Sequence, residues 1–319
     1  MAGWGAISPE RDNRWNVDIV TAGLFTYPMA AFAKRVAANP TAFSVGYQKD
    51  AIRFTTAVMQ TYVSFRPELY YSTSFPWAYH ISPPGYSTLS CSNPLYTSTC
   101  NGYKSDAGNA EEWNEDIQFI RTLAEAASAA DSSLYRNSTD PYKSTTISYL
   151  TSEAPDVIAK YVQFFDDNLS WHVYYWSGDN AAYYVWDKGA AGAGSTLVED
   201  APHGQVTVSS LALILENKPL LDGMLSRAGF SDTINLSSVI MERFAVTFLR
   251  LLWNTDNTIG DTVNGATDGS AGLNWNEEVG GFVTIAPYDS WVWQRAHDAL
   301  FAYPSKFRED NYAALIRYE

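Results

Sequence analysis

Apolar residues recur at three- and four-residue spacing along most of the chain, so the hydrophobic pattern predicts helices almost throughout. Residues 16–38 and 43–65 read as a helical pair separated by "NPTA", with Pro28 expected to kink or break the first. Further helices are predicted over 112–130, from about Pro155 through "DVIAKYVQFFDDNL", over 204–217, over a short piece at 219–228, and over 235–254. Two more fall near 289–302 and 309–317. Strand-like alternation is confined to "WHVYYWSG" and "AAYYVW".

A weak internal echo runs through this pattern. "RWNVDIVTAGLF" at Arg14 and "EWNEDIQFIRTL" at Glu112 align without gaps, and a third Trp-Asn follows at Trp275. Each Asn falls at the start of a helical stretch, where it is a favoured N-cap. Helix pairs repeating in this way predict stacked α-hairpins. The expected architecture is all-α, a single domain over residues 1–319 whose hairpins form an incomplete or closed (α/α) toroid or barrel. Two long loops, 72–108 and 255–288, carry aromatics including Trp275 and Tyr288 and are expected to cover one mouth of the ring.

Composition narrows the partners. Aromatics reach 15%, with 21 Tyr and 11 Trp, and such side chains serve either a packed core or flat platforms for sugar rings. Net charge is −14 and no basic run occurs, which argues against nucleic acid as a partner. No 18-residue apolar run suggests a membrane span. The first fifteen residues lack the basic and apolar regions of a signal peptide, which leaves a cytoplasmic protein or a mature form. Cys91 and Cys100, nine residues apart in a Ser/Thr/Pro-rich loop, read best as a local disulfide, and hence as a mark of an oxidising compartment. Sequons at Asn137, Asn168 and Asn235 are no more than composition would produce by chance. The balance favours a secreted, monomeric protein.

One turn concentrates chemistry, "VEDAPHG" at residues 198–204. Asp200 suits an N-cap and Pro202 the first helical turn, which puts His203 near the positive end of the helix dipole. The dipole favours the neutral imidazole, while a neighbouring carboxylate from Glu199 or Asp200 orients the ring, giving a competent general base. Gly204 would let a ligand or backbone come close. The plainer alternative is that Asp200 caps, Pro202 starts the helix and His203 merely packs.

Tyr184 and Trp186, a short Gly/Ala loop, then Glu199, Asp200, His203 and Gly204 opening an apolar helix together resemble the (α/α)-toroid polysaccharide lyases that act on uronic-acid polymers, such as alginate and glucuronan lyases. The resemblance is tight over about residues 181–217 and loose elsewhere; the β-sandwich some of these lyases add is not expected in this chain. It implies β-elimination: the uronate carboxylate is neutralised, the C5 proton removed and the departing O4 protonated. His203 would act as base or face the carboxylate. A tyrosine would act as acid, or as both base and acid, with Tyr288 and Tyr184 the leading candidates and Tyr79, beside His80, a third. No cofactor is implied.

An anionic polymer approaching an acidic protein needs local positive charge. Arg243 and Arg250 lie seven residues apart, on one helix face with Thr247 between them, and either line a cavity or form a surface ion-pair face. Arg11 and Arg14 are further candidates, and Asn114 would help neutralise a carboxylate if it is not simply a cap. Trp186 and Trp275 would support sugar rings. Four other readings compete. A glycoside hydrolase would pair Glu199 or Asp200 with Asp116, Asp187 or Glu277. An epimerase would use similar proton chemistry at C5. A zinc or calcium site would use His203, Glu199 and perhaps His80, although no ligand spacing supports it. A non-catalytic carbohydrate-binding protein would explain the aromatics alone.

Overall fold

The computed structural model describes residues 6–8, 14–16, 19–66, 69–71, 78–80, 112–168, 172–178, 180–188, 198–265 and 279–302. These residues are mostly helical, as the apolar spacing predicts. The chain packs as two compact units, one formed by residues 1–165, 192–194 and 217–235, the other by 166–191, 195–216 and 236–319.

In the first unit, β1 (Ala6–Ser8) pairs antiparallel with β2 (Arg14–Asn16) ahead of α1 (Ile19–Ala38) and α2 (Val45–Phe65). β3 (Leu69–Tyr71) and β4 (Ala78–His80) form a second short ladder, followed by α3 (Trp113–Asp131), α4 (Ser133–Arg136), α5 (Lys143–Ser148) and α6 (Ala154–Asn168), whose last three residues belong to the second unit. Neither ladder is visible in the sequence pattern, because three-residue strands are too short to show alternation. α1 runs unbroken through Pro28. The carbonyl that proline leaves without its donor belongs to Leu24, an exposed residue of the helix.

α3 is buried on nearly every side. α1 lies directly on it: a methyl group on Gly23 would meet the backbone of Gln118 and Phe119 at 2.8–2.9 Å, so only glycine permits this approach. Thr122 donates to the Gly23 carbonyl at the same crossing, and Lys34 reaches Glu125 further along both helices, so the two run in the same direction. Ala33 and Val36 of α1, Ala51 of α2 and Ala129 of α3 close one end of this core beneath Phe32, Phe43 and Phe54. Small residues at these positions let the helix axes come together and gain dispersion contacts.

The Trp-Asn echo has a different structural meaning in each copy. Asn16 ends a strand, and Asn114 is the second residue of α3, whose N-cap is Glu112. Neither asparagine caps a helix, so the expected capping role is corrected. The third copy, at Trp275, lies outside the described residues, as does the predicted helix 309–317.

The second unit contains the predicted hairpin, β5 (His172–Tyr175) with β6 (Ala182–Val185), in antiparallel register Tyr174 opposite Tyr183. α7 (Ala201–Ala228) is one helix rather than two, running through Pro219, and its residues from Asn217 onward belong to the first unit. α8 (Ser238–Thr247) is capped by Ser237 and passes into a π-turn over Phe248–Leu252. A 3-10 turn (Phe282–Ile285) precedes α9 (Ser290–Ala302). Among the described residues no helix is long and apolar enough to cross a membrane.

Candidate functional site

The turn before α7 is held by backbone hydrogen bonds on both sides. Glu199 N–H donates to the Trp186 carbonyl, Val263 N–H donates to the Glu199 carbonyl, and Ala201 N–H donates to the Asp261 carbonyl, all at 2.8–2.9 Å. Asp200 then caps the helix, its carboxylate accepting from the His203 N–H at 3.0 Å. Capping and ring orientation fall to the same side chain, because Asp200 also lies 2.8 Å from His203 Nδ1. Lys188 Nζ approaches it at 2.5 Å.

Burial pushes the Asp200 carboxyl up, but hydrogen bonds from His203 and Lys188 outweigh it and hold the group well below the usual carboxylate range. An ionised carboxylate has no proton to give, so the proton between the two groups sits on Nδ1. Nε2 is then the basic nitrogen, on a side chain that is 48% exposed. A ring oriented by a carboxylate on a half-exposed side chain is an arrangement that can serve general-base chemistry.

Glu199 is fully buried behind this pair. Gly204 serves packing rather than ligand approach: a methyl group there would lie 2.9 Å from Val263 Cγ1, 3.2 Å from Trp186 Cζ2 and 3.6 Å from Glu199 Cγ. Glu199, Asp200 and His203 bring one potential ligand atom each within 4.8 Å of one another. The Asp200 charge is already balanced by Lys188, and His203 Nδ1 is already engaged, so a cation would have to displace both contacts.

The β5–β6 hairpin sorts its aromatics by strand alternation. Tyr184 and Trp186 face inward and pack on Phe244 with ring centroids 5.0 and 5.2 Å away. Trp186 therefore offers no ring face to solvent, contrary to the platform role expected for it. Tyr174 and Tyr183 stack at 5.4 Å on the outer face, Trp176 meets Tyr183 edge-on, and Arg250 lies over Trp176 at 5.6 Å. Tyr174 is exposed, so the aromatic surface open to solvent in this hairpin includes this outer row. The same alternation, carried on from Tyr184 and Trp186, reaches Lys188. The sequence reading overlooked that lysine, and the period of two was the signal for it.

Arg243 and Arg250, expected to act together, have separate partners. Arg243 Nη1 donates to the Tyr184 hydroxyl at 2.8 Å. Burial raises the Tyr184 phenol above its ordinary value, with the Arg243 hydrogen bond offsetting only part of the rise. Thr247, between the arginines, accepts from Tyr184 N–H at 3.0 Å and lies 2.7 Å from its carbonyl, pinning β6 to α8. Tyr288 follows the 3-10 turn, half-buried, with its phenol raised first by burial and then by Glu216.

The remaining candidates are dispersed. Asn114 is buried in the first unit, its amide 3.4 Å from the Glu112 carboxylate, and Asp116 is buried on the same helix. Arg14, Tyr79 and His80 lie in β2 and β4 of that unit. Asp187 bridges to Val198 just ahead of the site turn. Trp275, Glu277, Arg11, Cys91 and Cys100 lie outside the described residues. Comparisons with protein-family models, curated proteins and solved structures found no match.

Proposed function

We propose that this protein is a secreted, monomeric, cofactor-independent polysaccharide lyase that cleaves a uronic-acid-containing polymer, of the glucuronan or alginate type, by β-elimination. The observation that carries this reading is the Asp200–His203 pair, with Nδ1 held at 2.8 Å from an ionised carboxylate and the ring half-exposed. His203 Nε2 takes the C5 proton. Tyr288 is the better proton donor to the departing O4, since its phenol is half-buried and kept protonated. Tyr184 is committed to Arg243 inside the hairpin and acts by positioning. The outer aromatic row of Tyr174, Tyr183 and Trp176 supports sugar rings, and Arg250 adds positive charge beside it. The helical hairpins belong, in this reading, to a closed toroid, the architecture of the lyases that residues 181–217 resemble.

The test is absorbance. Incubation with glucuronan, alginate, pectate and glycosaminoglycans should produce, from one of them, the near-ultraviolet signal of a new C4=C5 double bond. His203→Ala should remove it. Full activity in His203→Ala, or new reducing ends without the absorbance, would overturn the proposal. The outer aromatic row also favours a second reading, a non-catalytic carbohydrate-binding protein, which predicts oligosaccharide binding without turnover.

A further inference from the structure

Asp200 carries more contacts than its place at the start of α7 asks of it. An N-cap needs one acceptor for one backbone N–H, and Asp200 Oδ1 supplies that to His203 at 3.0 Å. The other oxygen, Oδ2, receives Lys188 Nζ at 2.5 Å. His203 Nδ1 lies 2.8 Å from both oxygens, in the fork between those two anchors. Capping accounts for the first contact alone, and a helix start has no need of a lysine.

The backbone holds both ends of this ion pair. Beside Lys188, Asp187 bridges antiparallel to Val198, and the Trp186 carbonyl accepts from Glu199 N–H at 2.9 Å. On the far side, Asp200 bridges to Thr262, and Ala201 N–H donates to the Asp261 carbonyl at 2.8 Å. The Lys188 and Asp200 side chains are 22% and 20% exposed, against 48% for His203, so the ion pair is largely covered while the ring opens outward. Salt screens such a partly buried pair less than a surface one. A carboxylate anchored by a single oxygen turns readily about its Cβ–Cγ bond, where the torsional preference is broad. A second anchor on the other oxygen fixes its plane. Fixing that plane fixes the direction in which Nδ1 must point, and with it the position of Nε2.

We propose that Lys188 is a positioning residue of the His203 site and acts through Asp200. Its ammonium fixes one carboxylate oxygen, the start of α7 fixes the other, and the fork between them sets the imidazole. The lysine touches neither Nδ1 nor Nε2 in this arrangement; it governs the ring by governing the acceptor. The part Lys188 plays in turnover rests on the lyase reading, whereas its hold on the ring does not.

The experiment is NMR of the full chain with nitrogen-labelled histidine, in which the His203 ring signals are assigned by their loss in His203→Gln. Wild type should show a protected Nδ1–H. In Lys188→Met the exchange of that proton with water should quicken by about tenfold, the loss of one charge-assisted anchor. The His203 backbone amide should keep its protection, because the cap contact to Oδ1 remains. Lys188→Arg, which keeps the charge and the donors, should restore the slow Nδ1–H. Lys188→Gln is a second neutral variant and decides the matter if Lys188→Met does not fold. Where a substrate is turned over, Lys188→Met should lower kcat by roughly ten- to a hundredfold with KM unchanged, and should add nothing to Asp200→Asn. An Nδ1–H as protected in the neutral variants as in wild type would overturn the proposal. So would joint loss of ring and amide protection, which marks a merely structural role, or failure of arginine to restore the signal. The ring proton reports the hold of Lys188 and ultraviolet absorbance reports turnover, so either reading can fail without the other.

Discussion

Substituting Gly204 with alanine tests how tightly the site turn is packed. Gly204 follows His203 directly, and a methyl group there would lie 2.9 Å from Val263 Cγ1 and 3.2 Å from Trp186 Cζ2. Ordinary carbon contacts are about 3.5–4.0 Å, so the overlap is between a few tenths and one ångström. Neither neighbour can retreat toward solvent, since Val263 and Trp186 are both fully buried. Overpacking of this kind costs about 1–3 kcal/mol. Alanine in place of glycine in a helix returns about 1 kcal/mol, so the expected net loss is about 1 kcal/mol. Val263→Ala removes the obstructing methyl group. In that background Gly204→Ala should be neutral or stabilising, because the new methyl occupies the space vacated. Urea unfolding of the four proteins of this double-mutant cycle measures the coupling, expected at about 1–2 kcal/mol. Equal destabilisation by Gly204→Ala in both backgrounds would refute the packing role. In the lyase reading, the single substitution should also lower turnover by displacing His203 from Asp200, and the double substitution should recover part of it.

Asp200→Asn should lower stability at neutral pH. The folded carboxyl titrates below its unfolded value, so its contribution is fully present above the ordinary carboxylate range near about pH 4 and is lost as pH falls through the folded value. Acid titration of unfolding should show the gap between wild type and variant constant from pH 7 to about pH 5 and closing below about pH 4. Thr247→Val should cost about 1–3 kcal/mol, because it strands the buried Tyr184 N–H, while Thr247→Ser should restore the bond; exchange of the Tyr184 amide reads this directly. Glu125→Gln should destabilise the first unit by about 2 kcal/mol, since it removes the charge that Lys34 meets inside the α1–α3 core, with thermal unfolding as the measure.

Local chemistry alone determined the helical segments and the start of α7. Apolar spacing and Ser, Asp and Pro at helix starts act within one or two turns, so Asp200 as cap and Pro202 inside the first turn were legible without the fold. The same locality explains why the chain is not broken at Pro28 or at Pro219. A proline breaks a helix only if nothing else supports it, and packing along α1 and α7 is not written next to the proline.

What only tertiary structure decided is which side of each element meets water. The alternation in "AAYYVW" puts Tyr184 and Trp186 on one face and Tyr183 on the other, but contact with Phe244 is what made the first face the inner one. The role of Gly204 depended on Val263, nearly sixty residues away, and that of Gly23 on Gln118, more remote still. Arg121 reads in sequence as an ordinary helix-surface arginine; the Tyr27 ring 4.2 Å from its guanidinium comes from a helix far back in the chain. Helix starts and spacing are short-range effects that neighbouring residues encode. Burial and the satisfaction of polar groups are set by partners distant in the chain, which only the folded arrangement brings together.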